Sequence, residues 1–164
     1  MRSNTRKIAL GGMLAAVCVV IMCLGGLIPV ATYVCPMLCC MTQFIVLRFC
    51  GKRLAWTWFV VVSILSLIMS PDKEAALVFA AVGCYPILKP FFESQRLGLV
   101  LKLVYFNAMV VLVYAIMIYV LGMQDVAAEN AEFGVIGLII LFALGNTTFL
   151  LLDRVLSIME KRFR

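Results

Sequence analysis

The chain has 164 residues, 65% of them hydrophobic, and a mean hydropathy of +1.14. A soluble domain is nearer half apolar, and the charged residues here, only 13% of the chain, cluster in short gaps between apolar runs. The composition excludes a soluble globular protein and indicates an integral membrane protein. The net charge of +6 does not point to nucleic acid, because the orientation of the loops in a membrane explains it better.

Six apolar segments predict an all-α integral membrane protein with six transmembrane helices in one domain, residues 1–164. Their lengths favour helices, because a spanning strand needs only about 10 residues. The first segment is longer than a signal-peptide core and lacks a convincing cleavage pattern, so we expect a retained helix. The predicted helices cover residues 7–27, 31–49, 54–70, 72–91, 97–122 and 132–157.

The distribution of lysine and arginine predicts a cytoplasmic N-terminus and a cytoplasmic C-terminus. With that orientation Lys73 is the only one of the 14 cations on the outer side. Positive charge concentrates on the cytoplasmic side of membrane proteins, so the asymmetry supports six spans in a bacterial cytoplasmic membrane. The acids expected outside are Asp72, Glu74, Asp125, Glu129 and Glu132.

The stretch "MSPDKEAA" predicts the start of the fourth helix. Ser70 is a residue type that caps free amides, and Pro71 suits the first turn. Asp72 and Glu74 suit the positive end of a helix, whereas Lys73 does not. Two interpretations of this lysine remain: it contacts an anionic ligand, or it forms an ordinary pair with a neighbouring acid or a lipid phosphate.

The sequence contains no motif for catalysis, phosphate binding or zinc-dependent hydrolysis, and it contains no histidine. We therefore expect no enzymatic activity, no catalytic residue and no cofactor. Cys35 and Cys39 in "CPMLCCM" share a helix face, with Met37 and Met41 nearby, which makes a Cu(I) site conceivable. Packing of cysteine as a small apolar residue is the preferred interpretation, so no metal is expected.

The first predicted helix contains "ALGGMLAA". Gly11 and Ala15 form one small-xxx-small pair, and Gly12 and Ala16 form another. Such pairs let a second helix approach closely in lipid. The second helix belongs either to this chain or to a partner protein.

This first helix, with its basic start and five further spans, resembles the substrate-binding S component of an energy-coupling factor (ECF) transporter. In that family an alanine-x-x-x-alanine type motif on the first helix docks on a transmembrane T component, which is coupled to two ATPases. The matching positions are Gly11/Ala15 or Gly12/Ala16, and glycine in place of the first alanine is a departure from the motif. The resemblance implies a subunit that binds a vitamin or related micronutrient, while its partners hydrolyse ATP.

The resemblance also implies a ligand site near the outer face. An open helix N-terminus beside Lys73 suits a carboxylate or phosphate, the neighbouring acids suit an amine, and tyrosines suit a ring. The residues predicted to bind the ligand are Thr32, Tyr33, Ser70, Asp72, Lys73, Glu74, Tyr85 and Tyr119.

Two further polar groups lie within the predicted spans. Ser63, Ser66 and Ser70 are spaced to share one face of the third helix. The second group is expected deeper in the membrane, where it joins helices rather than binding a ligand. It consists of Gln43, Asn107, Asn146, Thr147 and Thr148.

The alternative function is a scaffold without a ligand, similar to the MreD-type cell-shape proteins, which have comparable length and several membrane helices. A lipid-modifying enzyme or a small self-contained transporter is a third interpretation. The sequence disfavours an enzyme, because it lacks recognisable catalytic acids and contains no histidine.

Overall fold

All regular secondary structure that the computed structural model describes is α-helical. The structure describes residues 2–25, 31–95, 98–119, 122 and 124–162, and among these it describes side chains except at 2–4, 31, 124–138 and 141. The helices in these ranges are α1 (Arg2–Gly25), α2 (Ala31–Cys50), α3 (Lys52–Met69), α4 (Lys73–Val82), α5 (Tyr85–Glu93), α6 (Gly98–Tyr119) and α7 (Gln124–Arg162).

Six segments within the described residues are long and apolar enough to cross a membrane, which confirms the predicted number of spans. The chain is a multi-pass, all-helical membrane protein. The cytoplasmic placement of both termini stays a prediction. The segments are Thr5–Gly25, Thr32–Cys50, Lys52–Met69, Lys73–Glu93, Gly98–Tyr119 and Phe142–Arg162.

The chain forms two compact units. The first, Met1–Ser94, contains α1 to α5, and the second, Gln95–Arg164, contains α6 and α7. In the first unit α1, α2 and α3 contact one another, and α4 packs against all three. α5 continues along α2 and α3. In the second unit α6 packs against α7.

Side-chain hydrogen bonds set the register between α1 and α2. The Cys39 thiol donates to the Cys18 carbonyl at 3.7 Å, and the Cys50 thiol donates to the Lys7 carbonyl at 3.3 Å. The order of these contacts is reversed on the two helices, so α1 and α2 run antiparallel. Cysteine here joins helices as a small residue that also donates to backbone.

A second pair of hydrogen bonds sets the register between α1 and α3. The Trp58 indole Nε1–H donates to the Gly11 carbonyl at 2.9 Å, and the Ser70 hydroxyl donates to the Met22 carbonyl at 3.2 Å. These contacts follow the same order on both helices, so α1 and α3 run parallel.

The fourth span is interrupted where the sequence predicts a continuous helix over 72–91. Its segment is the most buried of the six, yet α4 ends at Val82 and α5 begins at Tyr85. A Cβ at Gly83 would lie 2.6 Å from the Phe79 carbonyl oxygen and 2.9 Å from the Phe59 ring, so only glycine fits without a shift. Pro86 occupies the first turn of α5, where its missing amide donor costs no helical hydrogen bond.

The last helix starts earlier than predicted. The sequence predicts a polar loop through "MQDVAAENAEF" and a helix over 132–157, whereas α7 begins at Gln124 and contains 39 residues. Alanine and glutamate are strong helix formers, which explains how this polar stretch continues the helix. The predicted outer acids Asp125, Glu129 and Glu132 have side chains outside the described residues.

Candidate ligand and partner sites

Four of the residues predicted to bind a ligand meet where α2 and α4 begin. The Thr32 hydroxyl donates to Asp72 Oδ2 at 2.8 Å, and the Tyr33 hydroxyl donates to Glu74 Oε1 at 2.9 Å. Each bond joins residues about 40 positions apart along the chain. The two carboxylates therefore hold the start of α2 against the start of α4, at the end of the unit that we expect to face outside.

Asp72, rather than Ser70, caps the start of α4. Its Oδ1 accepts from the Ala75 amide at 3.1 Å, which satisfies one of the free donors of the first turn. Ser70 instead follows the last residue of α3 and is buried, and its hydroxyl lies within hydrogen-bond distance of both the Met22 and the Asp72 carbonyls. The prediction that Ser70 caps α4 was wrong. Its hydroxyl is directed to the Met22 and Asp72 carbonyls rather than to a free amide of α4.

Lys73 interacts with the helix that precedes it. Its Nζ donates to the Leu67 carbonyl at 2.7 Å and lies 3.4 Å from the Ile68 carbonyl. These carbonyls belong to the last turn of α3, the negative end of that helix, where a cation is favourable. Lys73 is unfavourable at the positive start of α4, but its interaction with the last carbonyls of α3 accounts for its presence there. An ammonium has three donors, so the geometry leaves one donor for a ligand.

The two other tyrosines of the predicted site lie in α5 and in the second unit. Tyr85 is fully buried in α5, with its ring stacked 6.3 Å from the ring of Phe92. Tyr119 is the last residue of α6 in the second unit and is 87% exposed. The place of both tyrosines in the ligand site stays a prediction.

The two small-residue pairs of α1 differ in their surroundings. Gly11 contacts Trp58: its carbonyl accepts the indole N–H, and a Cβ added at Gly11 would lie 3.9 Å from the ring. Gly12 is exposed, and a Cβ added there would meet no atom within 4 Å. Ala16, one turn further along, is also exposed.

An apolar groove runs between α1 and α3 on the exposed side of α1. Its volume is about 380 Å³. Because its floor contains glycine and alanine, another helix or a lipid chain can approach the backbone of α1 closely. The groove is lined by Gly12, Ala15, Ala16, Val19, Val20, Val61, Val62 and Leu65.

Three polar side chains in the interior of the first unit lack a hydrogen-bond partner among the described residues. Both polar atoms of the Gln43 amide are buried and unpartnered. The hydroxyls of Ser63 and Ser66 are also buried and have no hydrogen-bond partner among the described residues. The sequence led us to expect that Gln43 joins helices through a hydrogen bond. Among the described residues it makes no such bond.

In the second unit two polar pairs join α6 and α7. Lys102 Nζ lies 3.1 Å and 3.0 Å from the two carboxylate oxygens of Asp153. The Asn146 amide donates to Asn107 Oδ1 at 3.0 Å. These pairs join the two helices, as predicted for Asn107 and Asn146.

Between these polar pairs the two helices make a close aromatic contact. The rings of Phe106 and Phe149 stack with centroids 4.6 Å apart, and a Cβ at Gly145 would lie 3.4 Å from Phe106. Thr147 and Thr148 instead donate to carbonyls one turn earlier in their own helix. Hydrogen bonding across α6 and α7 therefore comes from the asparagines and the ion pair rather than from these threonines.

Lys89 is a feature that the sequence did not reveal. It was expected at the cytoplasmic end of the helix predicted over 72–91, but it is 2% exposed in α5, with Nζ 3.6 Å from Glu93 Oε1. An acid four residues after a lysine is the one local signal of such a pair. Its burial depends on the packing of α5 against α2 and α3.

The seven cysteines, all of which lie in described helices or turns, form no disulfide. Among the described residues no group of three or more acids and cysteines is arranged to hold a metal ion. Cys39 and Cys50 instead contact backbone carbonyls of α1. This geometry supports the interpretation of the cysteines as packing residues.

A scan against protein-family models, a search of curated proteins and a search of solved structures found no match. The chain's own geometry supports an all-helical, multi-pass membrane protein. It also provides three features for a functional argument: the exposed groove on α1, the polar cluster where α2 and α4 begin, and the interior amide of Gln43.

Proposed function

We propose that this chain is the small-molecule-binding subunit of an ATP-driven ECF-type uptake transporter in a bacterial cytoplasmic membrane, with both termini cytoplasmic. The subunit itself is not an enzyme, and ATP is hydrolysed by two partner ATPases. The vitamin or related micronutrient enters from the outer side. The observation that carries the proposal is the exposed Gly12 and Ala16 face of α1.

This face supports the proposal because it matches the position of the docking motif in S components. Of the two candidate pairs, Gly12/Ala16 is exposed to a partner, whereas Gly11 contacts Trp58 of the same unit. A small-residue pair at an uncovered groove is suited to the close approach of a helix from a T component. The glycine that departs from the family motif lowers the steric barrier further.

The polar cluster at the start of α2 and α4 is the proposed ligand site. Lys73 has one ammonium donor beyond those used by the end of α3, and its charge is expected to attract a carboxylate or phosphate. Tyr33, whose hydroxyl donates to Glu74, is 47% exposed on α2 and offers a ring for stacking. Thr32, Ser70, Asp72 and Glu74 are proposed to shape the site, because their polar groups already bond within the protein.

Co-purification tests the partner. The tagged chain is co-expressed with the T component and two ATPases of an ECF module from the same genome, and recovery is measured in detergent. We expect all four proteins in one complex. Recovery of the chain without any module component would contradict the proposal and favour the scaffold function.

Ligand binding tests the polar cluster. Mass spectrometry of the denatured, purified protein identifies a bound small molecule, and its affinity is then measured for Lys73→Ala. For an anionic ligand we expect affinity to fall about tenfold or more, equivalent to about 1.4 kcal/mol or more. Lys52→Ala, an exposed cation at the start of α3, is the matched control and should bind normally. Equal affinity in the two variants would remove Lys73 from the site.

A further inference from the structure

The interior of the first unit contains a polar group that the proposed function does not use. Gln43 and Ser66 are 0% exposed, and Ser63 is 9% exposed. Their amide and hydroxyl atoms have no hydrogen-bond partner among the described residues. We propose that these three side chains form an internal binding site for a small uncharged molecule that both donates and accepts hydrogen bonds, of which water is the smallest.

The register of the helices places Gln43 and Ser63 at similar depth. Gln43 is four residues beyond Cys39, which contacts Cys18, so it lies at the level of Leu14 on antiparallel α1. Ser63 is five residues beyond Trp58, which contacts Gly11, so it lies at the level of Ala16. At 1.5 Å per residue, these levels differ by about 3 Å. Ser66 is one turn further toward Ser70.

Both helices direct these side chains inward. On α2, Gln43 follows the fully buried Cys39 and Cys40 by four and three residues, which places it between them on the buried face. On α3, Ser66 follows the fully buried Val62 by four residues. α2 and α3 are in contact, and the three side chains lie on the buried faces of these two helices.

The chemistry of the side chains selects the occupant. The amide of Gln43 offers both donors and an acceptor, and each serine hydroxyl offers one donor and acceptor sites. A molecule with both functions therefore satisfies all three. A cation would need a counter-charge, but the acids of the first unit, Asp72, Glu74 and Glu93, cap a helix or pair with Tyr33 and Lys89. An uncharged occupant is consistent with this arrangement.

The energetics distinguish an occupied site from a dry one. A buried amide without a partner is costly, so its replacement by an apolar side chain of similar length relieves that cost. If an occupant completes the hydrogen bonds of Gln43, the same replacement removes them and lowers stability. The sign of the change in melting temperature therefore reports occupancy, whether or not the chain assembles with an ECF module.

The test is the melting temperature of the full chain in lipid nanodiscs, for wild type, Gln43→Met and Ser66→Ala. We expect Gln43→Met to lower it by about 3–6 °C and Ser66→Ala by about 1–3 °C. Thr57→Val is the control, since Thr57 is exposed, its hydroxyl donates to the Arg53 carbonyl of its own helix, and its replacement should change little. If Gln43→Met does not fold, Ser66→Ala decides. A melting temperature that rises or stays unchanged in the folded variants overturns the proposal.

Mass spectrometry then identifies the occupant. Denatured wild type and Ser66→Ala, each exchanged exhaustively into solute-free buffer, are extracted for small molecules. A stoichiometric uncharged compound that is present in wild type and reduced in the variant identifies a solute. A lowered melting temperature in the variant without any such compound identifies water.

Discussion

The two faces of α1 carry similar small residues but have opposite surroundings. Gly11, Cys18 and Met22 lie on one face, and their carbonyls accept hydrogen bonds from α2 or α3. Gly12 and Ala16 lie on the other face and are uncovered. A step of one residue rotates the side-chain position by about a quarter of a turn, so adjacent glycines belong to different surfaces. One surface holds the unit together, and the other is exposed.

Gly11→Leu should have the largest effect on stability among changes in α1. Alanine fits at this position, because a Cβ would lie 3.9 Å from Trp58, but the larger side chain must displace the indole. Overpacking and loss of the Trp58 hydrogen bond together should cost about 2–4 kcal/mol. Thermal unfolding in detergent measures the loss, with Gly11→Ala as the control. Equal stability of the leucine and alanine variants would show that this face is not closely packed.

Cys18→Leu tests the same face of α1 about two helical turns beyond Gly11. Cys18 is 0% exposed, so the two additional heavy atoms of leucine have no space and should cost about 1–3 kcal/mol. Val17→Leu is the matched control, because Val17 is 48% exposed and the added methylene points away from the unit. The same unfolding assay should separate the two variants. If Val17→Leu were the more damaging change, the assignment of the two faces would be reversed.

Trp58→Phe should have a smaller effect. It removes the hydrogen bond from the indole to the Gly11 carbonyl, which already serves as a helical acceptor, so the expected loss is about 1 kcal/mol. Trp56→Phe is the control, since Trp56 is 39% exposed on the same helix. A comparison of the two melting temperatures checks the contribution of this bond. An equal decrease in both would mean that ring size, not the hydrogen bond, matters.

Gly12→Leu combined with Ala16→Leu should change stability least. Neither position is covered, and a Cβ at Gly12 meets no atom within 4 Å, so the change should stay within about 0.5 kcal/mol. The melting temperature of the isolated chain checks this expectation. A large loss would mean that this face also packs within the protein and would remove it as a docking surface.

The sequence predicts the spans well because apolar length is a local property. It does not predict the interruption of the fourth span, because a Cβ at Gly83 would meet the Phe79 carbonyl and the Phe59 ring, and both contacts exist only in the folded chain. The role of Lys73 was equally hidden, since it depends on the direction of the last carbonyls of α3. Local patterns therefore identify helices, whereas contacts between helices decide where they break and what their ends bind.

The candidate site was predictable in part for the same reason. Thr32 and Asp72 were both expected at the outer ends of their helices, and the structure brings them within hydrogen-bond distance. Tyr85 was included for its residue type, but its burial in α5 follows from tertiary packing. The unpartnered amide of Gln43 was not predictable, because a partner is present or absent only once α2, α3 and α4 are packed.

The recovery of the T component with the tagged chain tests the central claim most directly. Gly12→Leu/Ala16→Leu is compared with Ala108→Leu/Ala115→Leu, which places the same bulk at two exposed alanines of α6. We expect the first variant to lose the T component and both ATPases while keeping its melting temperature, and the second to assemble like wild type. Normal assembly of the first variant would contradict the assignment of this face of α1 as the docking surface.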